Sequence, residues 1–273
     1  MIRPGEIQRI ARGAGVRDQQ IEKDYVLSWI LNGIARHEQL SEIMAFKGGT
    51  VLKKFYFKDY RFSEDLDFTL LDDKVSNDQI FSWFRETFEY IRNEANIPLE
   101  IIDNNEHEDG GINFYIGYIG PLGGLGSNKK VKVDISRSEK LEFKPVKKSA
   151  FLGYSDLEPH DLLCYQLEEV LVEKLRSVVQ RMQARDFYDI WYLLAVHGMK
   201  VDLLINEFSN KCQSKGLSAD NFHSKLEERI PQYKSRWKTT LSDQIDDLPD
   251  FEQVEREVTR HLKKLQKKQG WVL

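Results

Sequence analysis

The chain has 273 residues, 41% hydrophobic and 31% charged, with 40 basic and 44 acidic side chains and a net charge of -4. That is length for one large domain or two small ones. The acidic balance excludes a globally basic nucleic-acid binder, so any basic surface must be local. Cys164 and Cys212 have no Cys or His at metal-ligand spacing, which argues against a disulfide framework or zinc site and fits a reducing cytoplasm. No apolar run reaches the roughly 18 residues of a membrane span, and the N-terminal stretch lacks the apolar core of a signal peptide.

In chain order, residues 1–40 read as helical, with Ile7, Ile10 and Ala11 on one apolar face and Tyr25, Val26, Trp29, Ile30 and Ile34 on the next. Glu22-Lys23-Asp24-Tyr25 reads as the charged opening turn of the second helix. A short strand is predicted over Ile43–Phe46, then a turn Lys47-Gly48-Gly49-Thr50, a helix Val51–Phe57 and a strand Asp65–Leu71. Ile80, Trp83, Phe84, Phe88, Ile91 and Ala95 recur at helical spacing. A short strand Leu99–Ile102 is followed by an acidic turn, Asp103–Gly111, read as solvated. Strands are predicted over Asn113–Ile119 and Lys129–Ser138, joined by the hairpin connection Pro121–Asn128. From Pro159 the chain reads as helical: a long helix to Arg181 with Leu163, Leu167, Val170, Leu171, Leu175, Val178 and Met182 on its apolar face, then Ile190–Val196. Short helices are expected over Leu203–Phe208 and Phe222–Ile230, with another beginning at Arg236-Trp237. An acidic loop Asp243–Asp250 precedes a last helix, Phe251–Lys268. That helix is acidic early and basic late (Arg256, Arg260, Lys263, Lys264, Lys267, Lys268), which complements its dipole. The expected division is residues 1–155, helices plus an α/β core, and 156–273, a helical half.

Two features of this pattern carry chemistry. Gly48 and Gly49 stand before a helix N-terminus, where free N–H groups and the dipole suit a phosphate. Asp65 and Asp67 alternate along one strand and so share a face. Asp134, on the strand with Lys130 and Lys132, joins them as a third carboxylate if the strands neighbour one another. About three carboxylates are what two divalent ions and a triphosphate require. Lys174, Arg181 and Arg185 would share a basic stripe if one helix carried all three. Asp186 reads equally as a helix cap or as a catalytic acid.

Four blocks, KGGTVLKK (47–54), SEDLDF (63–68), KVDIS (132–136) and EKLRSVVQR with RDFYDIW (173–181 and 185–191), occur in an order that resembles the AbiEii/AbiGii toxin family of the DNA polymerase β-like nucleotidyltransferase superfamily. Glu22-Lys23-Asp24-Tyr25 is similar to an N-terminal segment of that family. The resemblance implies an α+β fold, a nucleotidyltransferase core with a mixed β-sheet flanked by helices, followed by a helical C-terminal half. It implies that Asp65, Asp67 and Asp134 bind Mg2+ or Mn2+, and that Gly48, Gly49 and Ser63, with Lys47 and Thr50 in the same turn, meet the phosphates of an NTP. By the same resemblance Lys174, with Arg181 and Arg185, holds the triphosphate, and Asp186 or Asp189 supplies a later acid. The implied reaction moves a nucleoside monophosphate to a hydroxyl of an RNA acceptor, the tRNA 3′ end, and blocks translation in a type IV toxin–antitoxin or phage-defence system. The cognate antitoxin, encoded alongside, need not form a tight complex. Two rivals stay open: a small-molecule, antibiotic-type nucleotidyltransferase, and a catalytically silent module that binds a partner.

Overall fold

The computed structural model describes all residues except 125–128, 138, 182 and 270–273, and the side chains of 264–269. Met182, residues 125–128, Ser138 and the side chains of Lys264, Lys267 and Lys268, all named above, therefore lie outside the described residues. Contacts divide the chain into two compact units: 1–139 with 145–165, and 140–144 with 166–273.

The first unit begins with α1 (Pro4–Ala14), α2 (Asp18–Arg36) and α3 (Glu38–Ile43). Nearly every residue of α2 from Gln20 to Ile34 is buried, Lys23 being the exception. Strand β1 (Met44–Lys47) runs into a single turn, α4 (Gly48–Val51), which widens into a π-helical stretch over Leu52–Tyr56. Then come β2 (Asp65–Leu70), α5 (Asn77–Ala95), β3 (Leu99–Glu106), β4 (Ile112–Tyr118), β5 (Lys130–Ser136), β6 (Val146–Ser149) and β7 (Asp161–Cys164). Among the described residues these strands form one seven-stranded sheet, in the order β3-β4-β5-β2-β1-β7-β6. It is mixed: β2 with β5 and β1 with β7 are parallel, and the remaining neighbours are antiparallel.

Alternation divides the sheet into two faces. Phe46, Leu66, Phe68, Phe114, Ile116, Val131, Val133 and Ile135 are buried together. Phe84 of α5 meets Phe114 edge-on with ring centres 5.0 Å apart, and Phe55 of the π-helical stretch meets Phe46 at 5.7 Å. Each such ring removed from water contributes about 1.5–3 kcal/mol. The opposite face is polar, and it holds the carboxylates.

Three sequence expectations need correction here. Residues 103–106 are strand, because β3 continues past a bulge near Ile101 and pairs with Tyr115 to Ile112; the turn is confined to about 107–111. Residues 159–166 are not helix. Asp161–Cys164 pairs with both β1 and β6, and the Tyr165 N–H donates to the Phe46 carbonyl at 2.9 Å. The spacing of Leu163 and Leu167 mimics a helix, but this segment is held as a strand by β6 on one side and, on the other, by β1, which lies more than a hundred residues away in sequence. The strand β6 was not foreseen at all.

The second unit contains α6 (Leu167–Gln180) and α7 (Ala184–Trp191), the latter extended by a π-helical stretch over Tyr192–Val196. A 3-10 turn (Val201–Leu203) leads to α8 (Ile205–Gln213), and a second one (Ala219–Asn221) to α9 (Phe222–Leu241); α10 (Phe251–Gln269) closes the unit. Arg236-Trp237 does not begin a helix, since α9 runs through Pro231 as one element. The stacked rings of Phe187 and Tyr233 (5.1 Å), with Trp237 and Phe251 beside Phe187, form its core. Lys211 and Glu169, both fully buried, pair at 2.6 Å. Glu169 accepts the Glu142 and Phe143 N–H groups and Lys211 donates to the Lys140 carbonyl, which fastens residues 140–144 to this unit. Both cysteines are free and buried, and burial pushes the Cys212 thiol up to about 11. Among the described residues no helix is long and apolar enough to cross a membrane.

Candidate active site

On the polar face, strand register sets the neighbours. Lys47 lies opposite Asp67, Asp67 opposite Asp134, and Asp134 opposite Asn113, a row across β1, β2, β5 and β4. In the adjacent row Asp65 lies opposite Lys132, and Lys132 opposite Tyr115. The parallel pairing of β2 with β5 therefore puts Asp65, Asp67 and Asp134 on one face of two adjacent strands. All three are partly exposed, whereas the apolar residues alternating with them are buried. The Lys132 Nζ stands 3.5 Å from Asp134 Oδ2, so a cation already sits within this acidic group.

The glycine turn is built against these carboxylates. Gly48 has φ +76, a left-handed conformation that side chains resist, and a Cβ there would overlap Asp67 Oδ2. A Cβ on Gly49 would stand 2.5 Å from Arg61 Nη2 and 3.5 Å from Ser63 Oγ. The turn thus requires glycine at Gly48 on conformational and steric grounds, whereas a side chain at Gly49 would displace the end of the Arg61 side chain. The Thr50 hydroxyl donates to the Asp65 carbonyl at 2.5 Å and ties the start of α4 to the start of β2. Lys47 is buried, with its Nζ 3.9 Å from Glu139 Oε1 and 5.8 Å from the centre of the Tyr165 ring. Ser63 and Arg61 are also buried. Lys47, Gly48, Gly49, Thr50, Ser63, Asp65, Asp67 and Asp134 are therefore brought together in one unit. Sequence reasoning missed Arg61 and Glu139. The arginine lies beside the quoted SEDLDF block and could have been found there. Glu139 offered no signal, because only the fold brings it to Lys47.

Oxygen donors on a shared face suit a hard divalent cation in kind. Among the described residues no group of three or more His, Cys, Asp or Glu side chains is gathered closely enough to hold an ion. The donors share a face without having converged, and Asp134 leans on Lys132 instead.

Lys174, Asp186 and Asp189 form a cluster within the second unit. The Lys174 Nζ lies 2.7 Å from Asp186 Oδ1 and 2.8 Å from Asp189 Oδ2, and all three side chains are buried. Burial pushes the Asp186 carboxyl up, but Lys174 and Arg181 outweigh it and hold the group below its usual range. The basic stripe expected along one helix is not formed. The helix α6 ends at Gln180, Arg181 is extended, and its Nε donates to Asp186 Oδ2 at 3.0 Å. Arg185 sits half-buried in the first turn of α7. Asp186 does not cap α7, whose N-cap is Gln183 without a side-chain hydrogen bond; the carboxylate goes to the two cations.

The chain matches, over residues 29–257, the family described as nucleotidyl transferase AbiEii toxin, type IV TA system. It belongs to that family. It is a nucleotidyltransferase of the toxin half of a type IV toxin–antitoxin system. Among solved structures it is similar to MenT4, a nucleotidyltransferase toxin from Mycobacterium tuberculosis H37Rv, at a TM-score of 0.71 and 17% identity, covering 99% of this chain and 93% of that one. It is also similar to JHP933 from Helicobacter pylori, at a TM-score of 0.57 and 17% identity, covering 93% of this chain and 94% of that one. At such identities the likeness speaks for the fold. No curated protein matches the chain in sequence. The expected α+β architecture, a mixed sheet with flanking helices and a helical C-terminal half, is the observed one.

Proposed function

We propose that this AbiEii-family enzyme transfers a nucleoside monophosphate from an NTP to a hydroxyl at the 3′ end of tRNA, with a divalent cation, and so blocks translation. The carrying observation is the register that sets Asp65, Asp67 and Asp134 on one face beside the Gly48-Gly49 turn. In this reading Asp65, Asp67 and Asp134 hold Mg2+ or Mn2+. When bound, the ion would neutralise phosphate charge and orient the reacting oxygens. Gly48, Gly49, Thr50 and Ser63 line the phosphates, with Lys47 and Arg61 supplying positive charge behind them. The acceptor hydroxyl loses its proton to Asp134, its oxygen bonds the α-phosphorus, and the bond to the bridging oxygen breaks so that pyrophosphate leaves. Lys174, Arg181 and Arg185 are proposed nucleotide contacts on the second unit, and Asp186 or Asp189 the later acid. The partners are the NTP, the tRNA and an antitoxin encoded alongside that acts without sequestering the toxin. The setting is cytoplasmic phage defence.

The test is a labelling assay with purified protein, total tRNA, Mg2+ and each α-labelled NTP in turn. Label on tRNA is expected from one NTP, falling by about a thousandfold or more in Asp67→Ala, the size of a lost charge-stabilising ligand. Label on an aminoglycoside and none on tRNA would replace the RNA acceptor by a small molecule. No nucleotide binding at all would leave only the silent partner-binding module.

A further inference from the structure

The turn Glu22-Lys23-Asp24-Tyr25 has no part in the chemistry above, yet its side chains together reach four other segments of the chain. Glu22, fully buried, accepts the Leu122 N–H at 2.8 Å and the Lys129 ammonium at 3.0 Å, just before β5 delivers Asp134. Lys23 pairs at 2.7 Å with Glu64, the residue between Ser63 and Asp65. Asp24 accepts Lys54 of the helix that follows the Gly48-Gly49 turn at 2.6 Å, and the Tyr154 hydroxyl at 2.6 Å. The Tyr25 hydroxyl donates to Asp156 at 2.7 Å. Consecutive helix residues point about 100° apart, so neighbours in sequence reach different surroundings when the helix is enclosed. α2 is enclosed at this turn, which is why four adjacent residues address four segments.

We propose that Glu22, Lys23 and Asp24 are positioning residues for nucleotidyl transfer, a clasp that fixes the carboxylate strands and the glycine turn relative to one another. Three segments that meet at the site each receive a charged anchor from one helical turn. Nothing else among the described side-chain hydrogen bonds of α2 addresses two of them. This rests on the site assignment proposed above. The clasp acts through the backbone of its partners, so it governs the alignment of Asp65 with the phosphates, and a misplacement of about 1 Å costs up to about a hundredfold in rate.

Lys23–Glu64 is the contact to test, because both side chains are partly exposed and the exchange is compatible with folding. Lys23→Glu, Glu64→Lys and the double exchange are compared with wild type in the labelling assay, by melting, and by amide hydrogen exchange of peptides spanning 61–67 and 77–95. Arg36→Glu, which breaks another α2 ion pair (Glu158, 2.9 Å), is the control for charge reversal on this helix. Each single reversal is expected to lower kcat about tenfold to a hundredfold with little change in KM, and to speed exchange in 61–67 alone; the double exchange restores both to within about threefold. Arg36→Glu leaves both at wild-type values. Singles that transfer and exchange as wild type does, or a loss that the double exchange leaves in place at an unchanged Tm, overturn the proposal. If a reversal melts well below the control, Lys23→Met is measured in its place against the same two outcomes. A wild type that labels nothing would sink the proposed function, and the exchange of 61–67 would still decide the clasp: faster in both singles and restored in the double supports it, unchanged overturns it.

Discussion

Gly48 carries two constraints at once, a left-handed backbone and a carboxylate where a methyl would go. An alanine there pays roughly 1–2 kcal/mol in conformation alone and must also push Asp67 aside. Gly48→Ala is therefore expected to abolish transfer while the protein still melts cooperatively, and melting and labelling on one preparation check this. Lys174 is the other residue whose loss has a readable sign. Asp186 is held below its ordinary range by Lys174 and Arg181. A depressed carboxyl contributes stability above its unfolded value of about 3.9, lost as pH falls through the lower folded value. Lys174→Met removes the ammonium shared by Asp186 and Asp189, with Arg181 still beside Asp186, a change of about 3–5 kcal/mol at pH 7. Burial then favours the protonated acids, so the deficit is expected to shrink between pH 7 and pH 5 in denaturant titrations. At this scale Asp65, Asp67 and the glycines were legible, since their spacing puts them on one face or one turn, while Asp134 joins them through the pairing of β2 with β5. Arg61 and Glu139 were not, because nothing local says which buried charge will stand against a turn.

The helix α5 is closed at both of its ends. Ser76 accepts the Gln79 N–H, Gln79 returns the bond, and Asn96 closes the other end with φ +55. Ser76→Ala is expected to lower stability by about 1 kcal/mol, as a lost cap does, seen as a shifted denaturant midpoint with an unchanged slope. This helix was located from sequence by its apolar spacing, Ile80 to Ala95, and strands with strict alternation were located likewise; the capping box at Ser76 was not read. The failures have a common cause. Asp161–Cys164 is four residues long and is strand only because β1 and β6 offer partners. The residues 103–106 are strand only because β4 lies alongside. The turn at Glu22 read as a charged helix start, since its partners are between 30 and 131 residues distant. Tertiary hydrogen bonding, absent from any window of sequence, decided each of these.

At the scale of the whole chain the path matters more than the length. The chain leaves the first unit after 139, gives 140–144 to the second, returns for 145–165 and departs again. A fragment of residues 1–155 loses β7, which among the described residues is the one strand that pairs with β6, together with the Asp156 acceptor of Tyr25 and the Tyr165 hydroxyl bonded to Thr69. That fragment is expected to be non-cooperative by circular dichroism and to aggregate, whereas 1–165 keeps the sheet and melts as a unit.

The two glycines of the turn also bear on how such a chain is inherited. Every amino-acid replacement at a glycine codon adds a side chain. At Gly48 and Gly49 any side chain meets Asp67 or Arg61. The Gly48 codon is therefore expected to be a compact target at which replacements silence the enzyme without unfolding it. If that turn meets the phosphates as proposed, the place where the substrate is held is also where the toxin is most easily disarmed.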